Sequence, residues 1–133
     1  MFLDASAICA IMIKEDDAEI LLNKILSAEM KLTSPMAIWE ATLAVSRASG
    51  IDIVETERLV SEFLTAIGAD SVSITAELTP VAIAAHRDFG KGRHPAALNF
   101  GDCFALCLRA PSRFAAAVQG RGFQPDGYRA RLI

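Results

Sequence analysis

Met1-Phe2-Leu3-Asp4-Ala5-Ser6-Ala7 runs a very short apolar strand into an acid and then, without a linker, into a helix-compatible stretch. In open α/β sheets ligands bind at the carboxyl ends of strands. Asp4 therefore has two readings, a helix N-cap or a ligand-binding group. Two more acids stand within or at the ends of apolar segments: Glu40 in Ser34-Pro35-Met36-Ala37-Ile38-Trp39-Glu40-Ala41, and Asp102 in Leu98-Asn99-Phe100-Gly101-Asp102-Cys103-Phe104-Ala105. A carboxylate in such a setting is costly to bury unless a cation or hydrogen-bond donors compensate it. A shared metal is the leading suspect.

The pattern outward from Asp4 is that of an α/β protein. Ser6 to Lys14 read as a helix with Ile8, Ile11 and Met12 on one face, and a second helix starts near Asp16 and Asp17 with a wide apolar face of Ile20, Leu21, Leu22, Ile25 and Leu26. Lys31 to Thr33 form a second strand. Ser34-Pro35 is an N-cap with Pro at the first helical position, opening a helix from Met36 to Ala48 that ends at Gly50. Ile53 to Ile67 form an amphipathic helix with Val54, Leu59, Val60, Phe63, Leu64 and Ile67 inward. Ser71 to Thr75 alternate as a third strand, Glu77 to Phe89 are helical, Gly90 to Asn99 are a loop, and Asp102 begins a helix that reaches at least Leu108. This order predicts a three-layer α/β fold with a parallel sheet.

At 133 residues the chain is expected to form one domain. Its apolar content of 53% against 22% charged residues fits a folded globular protein. No apolar run is long enough to span a bilayer, and the start lacks a basic signal-peptide region, so a cytoplasmic location and no membrane partner are expected. Cys9, Cys103 and Cys107 form no Cys-x-x-Cys pair and read as buried thiols. A net charge of −3 argues against a wholly basic nucleic-acid surface, although a metal can supply positive charge at a scissile phosphate.

Each candidate has a structural and a chemical reading. Asp4 either caps the first helix or binds Mg²⁺ or Mn²⁺ directly, with Ser6 either a second cap hydroxyl or the group that orients a ligand. Glu40 is either a solvated helix acid or part of an acidic site. Trp39 is expected as a core anchor rather than a base-stacking platform. Asp102 is either an acid stabilised by a helix N-terminus or a metal ligand, with Asn99 tying the loop through local side-chain to backbone bonds. Lys91, Arg93 and His94 form a basic loop that is either solvated or positions an RNA phosphate; His94 is a weak acid-base candidate, and His86 a partly buried surface residue. No P-loop, Gly-x-Gly-x-x-Gly, zinc spacing or Ser-His-Asp order is present.

Asp4-Ala-Ser-Ala7 after the first strand, Glu40 in a Pro-initiated helix and, most specifically, Gly90-Lys-Gly-Arg-His-Pro-Ala-Ala-Leu-Asn-Phe-Gly-Asp-Cys-Phe-Ala105 resemble the PIN-domain ribonucleases of the VapC toxin family. The resemblance implies a PIN-like three-layer α/β/α fold with a central parallel sheet, a single domain over residues 1–133, and Mg²⁺-dependent hydrolysis of RNA, with Mn²⁺ as a possible substitute. It implies a catalytic set of Asp4, Glu40 and Asp102, of which Asp4 and Asp102 ligate the metal. The implied partners are an RNA substrate and a small cognate antitoxin, and a homodimer is expected from the apolar excess of the helices at 17–28 and 53–67. A phosphoacceptor receiver domain fits poorly, since no Asp ends the strand at 71–75.

The resemblance stops at Ala105. Residues 1–105 carry eight Lys and Arg against fifteen Asp and Glu; residues 106–133 carry five against one. The family continues with an apolar helix, a buried strand similar to Leu-Leu-Phe-Lys-Gly, an Asp-Phe and a Thr-Asp-Ile. This chain has Pro111 and a tail rich in Arg, Gly and Pro. Codons of residues 117–129, read from the second base of each into the first base of the next, can spell Leu-Phe-Lys-Gly-Glu-Asp-Phe-Ser-Arg-Thr-Asp-Ile. A one-base insertion after Ala105 is therefore expected. It would remove a buried strand and a fourth acid, and the alternative function is a catalytically impaired metal-binding domain that keeps only antitoxin or partner binding.

Overall fold

The structure, a computed structural model, describes residues 1–109. They fall into two compact units, the first ending at Val72 and the second starting at Ser73. Expectations for the tail beyond Arg109, including the displaced family motif, lie outside the described residues.

The first unit is built on short parallel strands joined by helices. Phe2 bridges in parallel to Leu32, with the Leu3 N–H donating to the Leu32 carbonyl at 2.7 Å and the Leu32 N–H donating to the Met1 carbonyl at 2.9 Å. Strand β1 (Leu32–Thr33) also pairs in parallel with β2 (Asp70–Ser71), setting Leu32 opposite Asp70 and Thr33 opposite Ser71. Helices α1 (Ala5–Met12) and α2 (Ala18–Leu26) connect the first strand to β1, and α3 (Pro35–Ser49) and α4 (Ile53–Ile67) connect β1 to β2. This is an α/β arrangement with a small parallel sheet. The third strand is shorter than expected. Its pairing ends where the Val72 N–H donates to the Thr33 carbonyl at 2.9 Å, because β1 stops there and Ser34 turns the chain into α3.

Helix α3 follows its sequence signals. Ser34 Oγ accepts from the Ala37 N–H at 3.2 Å, Pro35 fills the first turn, and Gly50 closes the helix with a left-handed φ of 72° that a side chain would strain. Trp39 is not a core anchor: it is 63% exposed. The buried stripe of α3 runs through Ala37, Ala41 and Val45. Two residues turn an α-helix by about 200°, so Trp39 lies on the opposite side from Ala37 and Ala41. The same geometry corrects Val54, which is 70% exposed because Thr56, Val60 and Leu64 form the inward stripe of α4. Thr56 is wholly buried and its hydroxyl donates to the Asp52 carbonyl at 2.9 Å, so the position carries no unpaired polar group. Leu3, Ile8, Leu21, Ile25, Val60 and Leu64 make the centre of this core, and each large aliphatic side chain so buried contributes about 1.5–3 kcal/mol. Ile20 and Leu26 on α2 remain more than half exposed.

In the second unit α5 (Leu78–Phe89) packs against α6 (Phe100–Arg109) around Ala82, Phe89, Leu98, Cys103 and Leu106. The expected thiol burial holds for Cys103 and Cys107, whereas Cys9 on α1 is only half-buried. Cys107 Sγ donates to the Cys103 carbonyl at 3.0 Å. Burial, with Asp102 adding to it, pushes the Cys103 thiol up to about 11, and burial, with Cys103 adding to it, pushes Cys107 up to about 12, so neither is a thiolate at neutral pH. Gly90, where α5 ends, sits so close to His86 that a Cβ would overlap the His86 carbonyl oxygen and imidazole ring. Gly90→Ala is expected to lower unfolding free energy by about 1–3 kcal/mol, read as a lower midpoint in a urea melt; an unchanged midpoint would show that the contact is not tight. Among the described residues no helix is long and apolar enough to cross a membrane.

Candidate active site

Asp4 is the most constrained of the three candidate acids. It is 6% exposed and caps α1 from an extended conformation: Oδ1 accepts from the Ala7 N–H at 2.9 Å and from the Ser6 hydroxyl at 2.8 Å. The helix-cap reading of Asp4 is realised, and the Ser6 hydroxyl orients its carboxylate. The strand side of the residue is fixed as well. Thr33 Oγ1, itself buried, donates to the Leu3 carbonyl at 2.9 Å, stitching together the carboxyl ends of the first two strand segments. Nothing in the sequence pattern singled out Thr33, because a hydroxyl that bonds a carbonyl thirty residues away leaves no periodicity to find.

Glu40 belongs to the same unit. α1 packs on α3, and the two helices begin at Asp4 and Ser34, at the carboxyl ends of adjacent parallel strand segments. Glu40 follows Ser34 by six residues, about 9 Å along the helix axis, and is half-buried. Asp4, at the start of α1, stands where the positive end of the helix dipole favours its charge, whereas Glu40 stands beyond the first turn of α3.

Asp102 belongs to the second unit and stands in the first turn of α6. Its Oδ2 accepts from the Asn99 N–H at 2.7 Å while Asn99 Oδ1 accepts from the Asp102 N–H at 2.9 Å, a reciprocal cap that satisfies two helix-end donors at once. The expected role of Asn99 in tying the loop is realised in this way. Among the described residues no group of three or more His, Cys, Asp or Glu side chains is gathered so as to hold a metal ion.

His94 is held within its loop. Its Nδ1 accepts from the Ala96 N–H at 3.0 Å, and its ring stands edge-on to Phe89 with centroids 5.3 Å apart. A backbone N–H can only donate, so the imidazole serves here as an acceptor that shapes the loop. His86 is exposed on α5 and packs on Gly90.

The comparisons with known proteins bear on this geometry. The PIN domain family model matches residues 1–110. The chain belongs to the PIN-domain family. Its relatives include a VapC ribonuclease of Rhizobium meliloti, 34% identical over 92% of this chain and 94% of the relative. Ribonuclease VapC30 of Mycobacterium tuberculosis is 32% identical over 93% of this chain and 92% of its own length, and Ribonuclease VapC of Mycolicibacterium smegmatis is 30% identical over 93% and 94%. This PIN-domain chain is therefore similar to VapC ribonucleases over nearly its whole length. The family match ends five residues beyond Ala105, whereas the pairwise alignments extend further along the chain.

Proposed function

We propose that this PIN-domain chain is a Mg²⁺-dependent endoribonuclease, the toxin of a toxin–antitoxin pair, acting on RNA in the cytoplasm. The observation that carries the reading is the buried Asp4 carboxylate at the carboxyl end of a parallel strand, in a chain similar to VapC ribonucleases over nine-tenths of its length. In this reading the chain has a three-layer α/β/α PIN fold, Asp4 and Asp102 are the ion's ligands and Glu40 is the third catalytic acid. Hard divalent cations favour oxygen donors, and the candidate set is entirely carboxylate. A bound Mg²⁺, or Mn²⁺ in its place, would supply Lewis acidity and a nucleophilic water.

The protein's own groups have the remaining roles. Ser6 and the Ala7 N–H hold Asp4 Oδ1, so its carboxylate does not have to be ordered when a ligand arrives. The Asn99 cap does the same for Asp102. Glu40 accepts the proton of the attacking water at a carboxylate oxygen. The small antitoxin and a second copy of the chain are partners in this reading, and the exposed Ile20 and Leu26 of α2 and Val54 of α4 supply apolar surface for them. The second reading, an impaired domain that retains metal and partner binding, is favoured by a tail rich in Arg, Gly and Pro that lies beyond the family model's match at residue 110.

The direct test is cleavage of single-stranded RNA by the full chain in Mg²⁺. The ribonuclease reading expects cleavage that EDTA abolishes and added Mn²⁺ restores. Cleavage that survives EDTA would contradict it. Metal and antitoxin binding without cleavage would select the second reading.

A further inference from the structure

We propose that Lys91 and Arg93 form a preordered clamp for RNA backbone phosphates, mechanically tied to Asp102; the proposal rests on the ribonuclease reading. Residues 90–99 fold into a closed loop. The Leu98 N–H donates to the Phe89 carbonyl and the Lys91 N–H to the Leu98 carbonyl, both at 3.0 Å, so the two ends of the loop are paired at the Gly90–Leu98 bridge. Inside it, the N–H groups of Arg93 and His94 both donate to the Gly90 carbonyl, at 3.0 and 3.2 Å, forming a turn in which Gly92 takes a left-handed φ of 84°. His94 buttresses this turn through Ala96 and Phe89.

The tip of the turn is Lys91-Gly92-Arg93, and all three residues are exposed. Two other exposed arginines are engaged by carboxylates, Arg58 by Glu55 and Glu62 and Arg87 by Asp88, whereas the exposed Arg47 has no such pair among the described residues. Lys91 and Arg93 take part in no ion pair among the described residues. Two cations that enter no ion pair among the described residues, on a backbone already held by hydrogen bonds, bind an anion with less ordering cost than two cations on a slack loop. Arg offers a planar fork to phosphate and Lys a mobile point charge.

The tie to Asp102 is short. Leu98, the closing residue of the loop, is buried and directly precedes Asn99, which shares the reciprocal cap with Asp102. The basic tip and the acid therefore belong to one continuous hydrogen-bonded segment, from the Lys91 N–H through Leu98 and Asn99 to the Asp102 carboxylate. A polyanionic single strand suits this pairing of cations with a metal-site acid. Phosphate contacts fix the register of a strand without reading its sequence, so the clamp would position the scissile bond and leave base choice to other groups.

The test is the salt dependence of binding of a fluorescein-labelled single-stranded RNA to the full chain, measured by anisotropy in EDTA so that no strand is cut. Each phosphate contact on a single strand contributes about 0.7 to the slope of log affinity against log salt concentration. The double variant Lys91→Gln/Arg93→Gln is expected to bind about tenfold more weakly at low salt and to lose about 1.4 from that slope. Arg93→Lys should retain the slope, and the Mn²⁺ affinity and melting midpoint of the double variant should match the parent. A parent that binds RNA with the same slope as the double variant would overturn the clamp while leaving the ribonuclease reading intact. A parent with no RNA affinity in EDTA or with Mn²⁺ would overturn both.

Discussion

Asp4→Asn is expected to reduce Mg²⁺-dependent RNA cleavage at least about 100-fold, a loss of about 2.7 kcal/mol of transition-state stabilisation, with little change in melting temperature. The two effects separate because of what Asp4 does structurally. Its Oδ1 accepts the Ala7 N–H and the Ser6 hydroxyl, and an asparagine in the same rotamer keeps an oxygen there. Asn caps helices about as well as Asp, so α1 should still start at the same residue. The negative charge that would hold a divalent ion is lost. Asp4→Ala is expected to add about 1 kcal/mol of destabilisation from the missing cap. Matched cleavage assays and thermal melts of the parent, Asp4→Asn and Asp4→Ala check both outcomes. If Asp4→Asn cleaves as well as the parent, Asp4 is a cap and nothing more.

Restoring the reading frame after Ala105 is expected to raise stability and Mg²⁺-dependent cleavage together. The repaired segment would carry Leu-Phe-Lys-Gly-Glu-Asp-Phe in place of Val118-Gln-Gly-Arg-Gly-Phe123 and its flanks. Burying two or three large apolar side chains in a strand contributes several kcal/mol, at about 1.5–3 kcal/mol each. The present tail instead has five Arg together with Pro111 and Pro125 from Leu106 onward, a composition that opposes both a buried strand and a long helix. In the proposed ribonuclease reading the repair also returns the fourth acid that the family resemblance implies. The melting midpoint is expected to rise by about 10 °C and cleavage by at least about tenfold. Side-by-side melts and RNA assays of the two chains decide it: equal stability and equal activity would mean that the tail is native.

The parts of this molecule that were legible in its sequence are those set by local chemistry. Ser34-Pro35 and Gly50 bracket α3 because a hydroxyl cap, a ring-fixed φ and a residue tolerant of left-handed backbone act within a turn of where they stand. Ile53–Ile67 was readable to the residue from its amphipathic period. Trp39 and Val54 were misread because hydrophobicity alone does not say which face of a helix meets a neighbour; the small residues Ala37 and Ala41 and the polar Thr56 define the buried sides of α3 and α4. The third strand was overextended because alternation persists at Val72 and Ile74 after the pairing partner has ended. In the candidate site, the acids Asp4, Glu40 and Asp102 were visible as charges in apolar surroundings. The Thr33–Leu3 and His94–Ala96 bonds were not, since each depends on a folded contact.

Calorimetric titration of Mn²⁺ into the full chain and into Asp4→Asn and Asp102→Asn tests the acidic metal site most directly. Both substitutions preserve an oxygen at the hydrogen-bonding positions seen here, to Ala7 and Ser6 for Asp4 and to the Asn99 N–H for Asp102. A loss of affinity therefore reports ligation rather than a broken helix cap. The shared-metal account expects one saturable site in the parent and at least about tenfold weaker binding in each variant, equal to about 1.4 kcal/mol. Saturable Mn²⁺ binding that neither substitution weakens would contradict it.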